Sequence, residues 1–200
     1  SLALLPALAV LAATPAEKAA ETTAVRYANS IESGRLADLY AMMPPSYQKD
    51  VVNVISAFGA AMDADIWKEV QSLGGVLADV MIAKADLLAS MAAEDTNRPA
   101  AEIAPDVTRA AKAFKSLVGK LTLDTLKAGD VKAILASPEL TEIGKSTRWM
   151  NNDVVTGVVV GSKTAEDGSV VVTFKEKDGE TEDAPFVAVE GVWVPKEIAE

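Results

Sequence analysis

Residues 153–195 read DVVTGVVVGSKTAEDGSVVVTFKEKDGETEDAPFVAVEGVWVP, and their punctuation decides the fold. Valine-rich runs are separated by Asp167-Gly168, Asp178-Gly179 and Glu190-Gly191. An acidic residue followed by glycine suits a tight hairpin, because such turns need positive φ and glycine adopts it without a Cβ penalty. Three of these turns in series predict an antiparallel meander that ends on a short strand carrying Trp193. Val170, Val172 and Phe174 alternate with Val171, Thr173 and Lys175, which makes the Phe174 side the core face. The first strand has valine on both faces (Val154, Val155, Val158, Val159, Val160), the pattern of a central strand. Pro185 lacks a backbone donor and so predicts an edge or a bulge. The indole of Trp193 is expected to be buried against helices, with Val192 and Val194 facing the other side of the sheet.

Upstream of the meander the periodicity is helical. Ala20, Ala24, Ala28 and Ile31 form a stripe between Pro15 and Ser33, with Tyr27 beside it, and Gly34 ends that helix. Leu36, Leu39, Tyr40 and Met43 predict a short second helix stopped by Pro44-Pro45. Ser46 is expected to cap a third, with Val51, Ile55, Phe58 and Met62 on its buried face. Asp63 and Asp65 open the longest helical stretch, to about residue 91, with Ile66, Val70, Leu73, Leu77, Val80 or Met81, and Leu88 on its apolar face. Gly74-Gly75 inside it predicts close packing of a neighbour against bare backbone in preference to a hinge. Residues 94–104 read as a loop, Pro105 as the first position of the next helix, Asp130 as the cap of a short one, and Pro138 as the start of the last. The expectation is one α+β domain over residues 14–200, with about six to eight helices in a layer (15–150) packed on the C-terminal antiparallel meander (153–195).

Two hundred residues suffice for one domain with a sizeable core. Half are hydrophobic, many of them alanine, and aromatics are only 5%, which suits closely packed helices. The net charge is −10 with no histidine and no cysteine. An acidic surface repels phosphate backbones, so nucleic acid is not an expected partner. Thiolate chemistry and disulfides are excluded outright. Ten acids against four lysines after residue 162 place much of the charge on the hairpin rim, where it keeps sheet edges soluble.

Residues 1–13, SLALLPALAVLAA, are uninterruptedly apolar and too short for a span of about 20 residues. Val10-Leu11-Ala12 fits the small-residue rule of a leader cleavage site, so the run reads as the remnant of a signal peptide, ahead of a clipped membrane anchor or a buried helix. Export to the periplasm or outside the cell is the corresponding expectation, with membrane contact only through this leader.

The segments YAMMPPSYQKDV (40–51), MDADIW (62–67) and FVAVEGVWVPKEI (186–198) resemble a family of exported bacterial proteins and lipoproteins of no established activity. That family is similar in layout to the nuclear-transport-factor-2-like superfamily, whose helices pack into a curved sheet to form a cone with a cavity. The resemblance implies export and this layout, and no catalytic residue. Two departures stand out: the helical stretch 46–150 is far longer than the usual insert, and no lipobox cysteine follows the leader.

Chemistry without histidine or cysteine would rest on carboxylates, lysine, tyrosine or serine. Tyr40, Tyr47 and Asp50 are the nearest thing to a cone-fold proton-transfer group, and Trp67, Trp149 and Trp193 could line a pocket with them. Each also has a structural role open to it: Tyr40 completes an apolar stripe, and Asp50 lies in a first helical turn, where the dipole favours any acid. Asp63-x-Asp65 matches helix capping better than metal ligation. No catalytic residue, metal or cofactor is assigned. The six methionines either fill core gaps or line an adaptable groove. The residues thus point to a non-enzymatic structural or binding protein whose partner is a protein or a small apolar ligand. The alternatives are a pocket enzyme on a small apolar substrate, and an adaptor or inhibitor capturing a strand at the sheet edge.

Overall fold

The computed structural model describes residues 13–96, 98–147, 157–176 and 179–199. Among them are ten helices followed, before the last, by four strands: α1 (Pro15–Glu32), α2 (Leu36–Ala41), α3 (Pro45–Ala61), α4 (Ala64–Ala83), α5 (Ala85–Thr96), α6 (Ala100–Lys120), α7 (Leu123–Ala128), α8 (Val131–Leu135), α9 (Pro138–Thr147), β1 (Val158–Thr164), β2 (Val170–Lys175), β3 (Thr181–Val189), β4 (Val192–Pro195) and α10 (Lys196–Ala199). The α+β class holds, with somewhat more helices than the periodicity suggested. Residues 1–12, and with them most of the leader reading, lie outside the described residues, as do Val154 and Val155.

The sheet is an antiparallel meander in the order β1-β2-β3-β4. Its turns use the expected glycines: Gly168, Gly179 and Gly191 all have positive φ, and Glu190 joins Gly191 there at φ 52°. Val170, Val172 and Phe174 are buried, pairing across with Phe186, Ala184 and Glu182. Onto this face lies α1, which contributes Ala20, Ala24 and Ala28. Alanines let the helix approach the sheet closely, and the two phenylalanines fill the space between. Thr14 caps α1 in a reciprocal capping box with Glu17. Glu17 also accepts from the Thr164 backbone N–H, at 3.0 Å, which fastens the start of α1 to the end of β1.

Two strand readings need correction, those of β1 and Trp193, whereas the edge reading of Pro185 holds. β1 is an edge strand and carries a register shift between Val159 and Gly161. Its valines do not signal a central position: Val159 pairs with Phe174 on the core side, whereas Val158 and Val160 are exposed. Pro185 sits within β3, opposite Val171, and β4 reaches only as far as Phe186. β3 is therefore an edge along 181–185 alone, which is where proline is tolerated. Trp193 pairs with Ala188 and packs against the core that α1 shares with the sheet, but it is half-buried and not largely enclosed by helices as the sequence suggests; Val194, opposite Val187, is the residue that is fully enclosed.

Most of the other helices do not lie on that sheet, although α10 packs on β3 and β4. α4, α5 and α9 gather around α6, α3 packs on α7 and α8, and α2 links α1 to α8 and α9. A second core lies between α5 and α6, built from Ala85, Ala89, Ile103 and Val107. It explains why Pro105 stands inside α6 and not at its start. The proline removes one intrahelical hydrogen bond at a cost of about 3 kcal/mol, yet Ile103 and Val107 on either side of it are buried against α5. The expected loop 94–104 shrinks accordingly to the junction before Ala100. Ser46 does not cap α3 with its side chain. Pro44 holds the cap position, and the Ser46 N–H donates to the Glu190 carboxylate (3.1 Å), so a residue of the β3–β4 turn satisfies the start of α3.

Candidate functional site

The residues nominated from the sequence do not converge. Tyr40 is buried and its hydroxyl donates to the Gln48 carbonyl (3.0 Å), a link between α2 and α3. Tyr47 is half-buried and Asp50 is exposed on α3. Trp67 donates its indole N–H to the Leu121 carbonyl (3.1 Å), and its ring meets Phe58 edge-on with centroids 6.2 Å apart. Trp193 borders a dent of about 30 Å³ beside Met42 and Met43. Trp149 lies outside the described residues. Tyr40, Trp67 and Trp193 are thus spent on joining helices or covering the sheet.

Between α1 and the sheet lies the core of Ala20, Ala24, Ala28, Val170, Val172, Phe174 and Phe186. At its margin is a recess of about 180 Å³ bordered by Tyr27, Phe174, Glu182 and Glu197. Burial, with the nearby Glu197 carboxylate, raises the Tyr27 hydroxyl above its ordinary pKa and keeps it neutral. Among the described residues, no group of three acidic, histidine or cysteine side chains is placed to hold a metal. The free side of β3 at 181–185 carries Glu182, Asp183 and Pro185, the features that blunt an edge against strand capture.

What the structure does bring together is apolar and outward. The predicted apolar face of α4 faces solvent: Ile66, Val70, Leu73, Leu77 and Val80, with Leu87 and Met91 on α5, are each between 42% and 69% exposed. Phe58, expected in the α3 core, is exposed as well, and the buried position on that helix is Gly59. Two seams one residue apart explain the inversion. Trp67, Gln71, Gly74, Ala78, Met81 and Ala85 recur at the same spacing and face α6. A Cβ on Gly74 would stand 3.0 Å from Val118 Cγ1, so α4 and α6 approach as closely as a glycine allows. Gln71 donates to the Val118 and Leu121 carbonyls (2.8 and 3.0 Å) and Lys115 pairs with Asp79. Close approach at Gly74 and hydrogen bonds from Trp67 and Gln71 thus fix α4 to α6, and Ile66, Val70, Leu73, Leu77 and Val80 are left outside.

The strip crosses the α4–α5 junction, where the helix is interrupted: Lys84 caps α4 with φ −112° and ψ 17°, and α5 starts anew at Ala85. Lys84 still donates its N–H to the Val80 carbonyl (2.9 Å) and Leu88 to that of Lys84 (3.0 Å), which ties the two helices end to end. The strip exposes on the order of 700 Å², above the roughly 300–600 Å² of the largest apolar patch on an ordinary monomer and near the ~800 Å² that each partner gives to a standard interface. Beside it, α4, α5, α6 and α9 line an open cleft of about 610 Å³, mostly apolar (Met81, Leu88, Val107, Ala110) with Glu94 and Asp95 among its lining; Met91 belongs to both cleft and strip. The methionines therefore divide: Met42 is core, while Met81 and Met91 border accessible apolar surface. No helix among the described residues is long and apolar enough to cross a membrane.

The signal for this surface was present in the sequence as spacing. Positions 66, 70, 73, 77, 80, 87 and 91 alternate by four and three, interrupted only at Lys84, which is the heptad seam of a helix that meets another helix. Compared with family models, with curated proteins and with solved structures, the chain matches none.

Proposed function

We propose that the protein is an exported, non-catalytic binding protein that works by seating an amphipathic helix along the α4–α5 strip. The observation that carries this reading is the exposure of a heptad-spaced apolar seam while a second seam of the same helix is committed to α6. A narrow seam at 3.5-residue spacing is complementary to the apolar stripe of another helix, each side chain entering a hole between four others. Export rests on the apolar run at 1–13 and its small-residue site.

Because the chain has no cysteine, Val76→Cys gives a single labelling site at the margin of the strip. A solvatochromic dye there, on the full chain at nanomolar concentration, is titrated with a synthetic four-heptad leucine peptide. A saturable blue shift that disappears in Leu73→Lys supports the reading. An unchanged spectrum, or a shift that Leu73→Lys leaves intact, overturns it.

A further inference from the structure

We propose that the helix seated on the strip is the same strip of a second copy, so that the protein is an antiparallel two-fold dimer through α4–α5. This rests on the helix-binding reading above and names its partner. In heptad terms Val70, Leu77, Lys84 and Met91 occupy a, and Ile66, Leu73, Val80 and Leu87 occupy d. A two-fold axis between residues 78 and 79 sets every a position opposite a d position of the other copy: 66 with 91, 70 with 87, 73 with 84, and 77 with 80. The seam is thus complementary to its own reverse, the condition an isologous interface must meet.

The one polar member of the seam supports the same register. Lys84 comes opposite Leu73 of the other copy, and Glu69 lies one turn before Leu73 on that helix, at its flank. Neither Lys84 nor Glu69 has an ion pair within the chain among the described residues, whereas the neighbouring Lys68 and Asp79 are paired with Asp65 and Lys115. The two-fold axis turns one such complement into two. The lysine stem covers apolar surface while its head reaches the rim. The exposed area comes close to the ~800 Å² that each partner gives to a standard interface. A lipid surface fits less well, since Asp65, Glu69, Asp79 and Asp86 outnumber Lys68 and Lys84 on these helices, and interfacial helices carry the opposite bias.

Sedimentation equilibrium on the full chain reads the stoichiometry. A dimer with micromolar or tighter dissociation is expected, weakened at least about tenfold by Leu73→Lys, a surface change whose fold is checked by circular dichroism. Lys84→Glu and Glu69→Lys should each weaken it by about two- to fivefold, and the double swap should restore it. Oxidising an equal mixture of Ile66→Cys and Met91→Cys chains should give the mixed disulfide and neither symmetric one. Symmetric 66–66 linkage, or failure of the double swap to restore the dimer, overturns the antiparallel register. A chain that stays monomeric to about 100 μM overturns self-pairing altogether. If that monomer still binds the leucine peptide, helix binding survives without the second copy; if it binds neither, both fall. A monomer that floats with anionic vesicles and loses this in Leu73→Lys assigns the strip to lipid and likewise overturns the dimer.

Discussion

The sheet with α1 and the hairpin of α4–α5 with α6 solve the same packing problem in opposite ways. In the first, the large apolar side chains point inward: Val170, Val172, Phe174 and Phe186 are buried, and α1 meets them with alanines. In the second, Gly74, Ala78 and Ala85 share the inner seam with Trp67 and Met81, and a run of leucines and valines points outward. Gly74 and Ala78 touch α6 while Leu73 and Leu77 face solvent. A strand has only two faces, so alternation settles which is covered once one of them is apolar. A helix can carry two seams, and its apolar periodicity does not say which one the domain itself uses.

The contrast predicts opposite responses to truncation, and this is the largest effect expected. Phe174→Ala removes a fully buried ring and should cost about 3–5 kcal/mol, a large share of the roughly 5–15 kcal/mol that holds a domain together. Leu73→Ala, on the exposed seam, should lie within about 0.5 kcal/mol of wild type in denaturant melts at protein concentrations where the chain is monomeric. If Leu73→Ala costs as much as Phe174→Ala under those conditions, the seam is part of the domain core and the comparison fails.

The same contrast explains how far the sequence was legible. The meander, its turns and the Phe174 face followed from alternation and from glycines that need positive φ. Asp63 and Asp130 cap their helices as composition suggested, accepting from the Ile66 and Ala133 N–H groups. Two kinds of feature escaped. One is long-range satisfaction of helix ends: nothing local to Ser46 says that Glu190, far along the chain, supplies its acceptor. The other is tertiary override. Pro105 sits inside α6 because burial of Ile103 and Val107 outweighs a local cost, and β1 is an edge although its composition reads as central. The tyrosines and tryptophans illustrate a related limit, because ring type alone does not separate a pocket wall from a joint between helices. Each ring was assigned by type, whereas its hydrogen bond, Tyr40 to Gln48 or Trp67 to Leu121, shows it joining two helices.

The paired glycines sharpen the comparison at a middle scale. Gly74 faces Val118, while a Cβ on Gly75 would meet nothing within 4 Å. Gly74→Leu should therefore overpack the α4–α6 contact and destabilise by about 1–3 kcal/mol. Gly75→Ala should stabilise by about 0.4–1 kcal/mol, by restricting the unfolded chain at a helical site with room for the methyl group. The two midpoints moving in the same direction would mean that α4 is not seated on α6 through Gly74.

The smallest effect concerns the carboxylates that tie the two regions to their surroundings. On the helical side, hydrogen bonding from Lys120, from its own backbone N–H and from Ser116 lowers the Glu139 carboxyl to about 2 and joins α9 to α6. On the sheet side, Asp167 is lowered by Ser169 and Lys196, Glu190 by Ser46, and Glu17 by Thr14 and Thr164. Each carboxyl binds its proton less readily in the folded than in the unfolded chain. Their contribution to stability is thus complete above about pH 4.5, the unfolded range, and is lost as pH falls through the folded values. With no histidine or cysteine to titrate, the melting temperature should be flat from about pH 8 to 5 and fall below about 4.5. Glu139→Gln should lower it at pH 7 and make the decline from about pH 4.5 to 2 shallower, because the variant has already lost what acid removes. The slope should ease further when Asp167→Asn is added, since the two residues belong to different regions and share no partner. A double variant that declines as steeply as wild type would show that neither tie is made in solution, and that acid acts on the two regions through other groups.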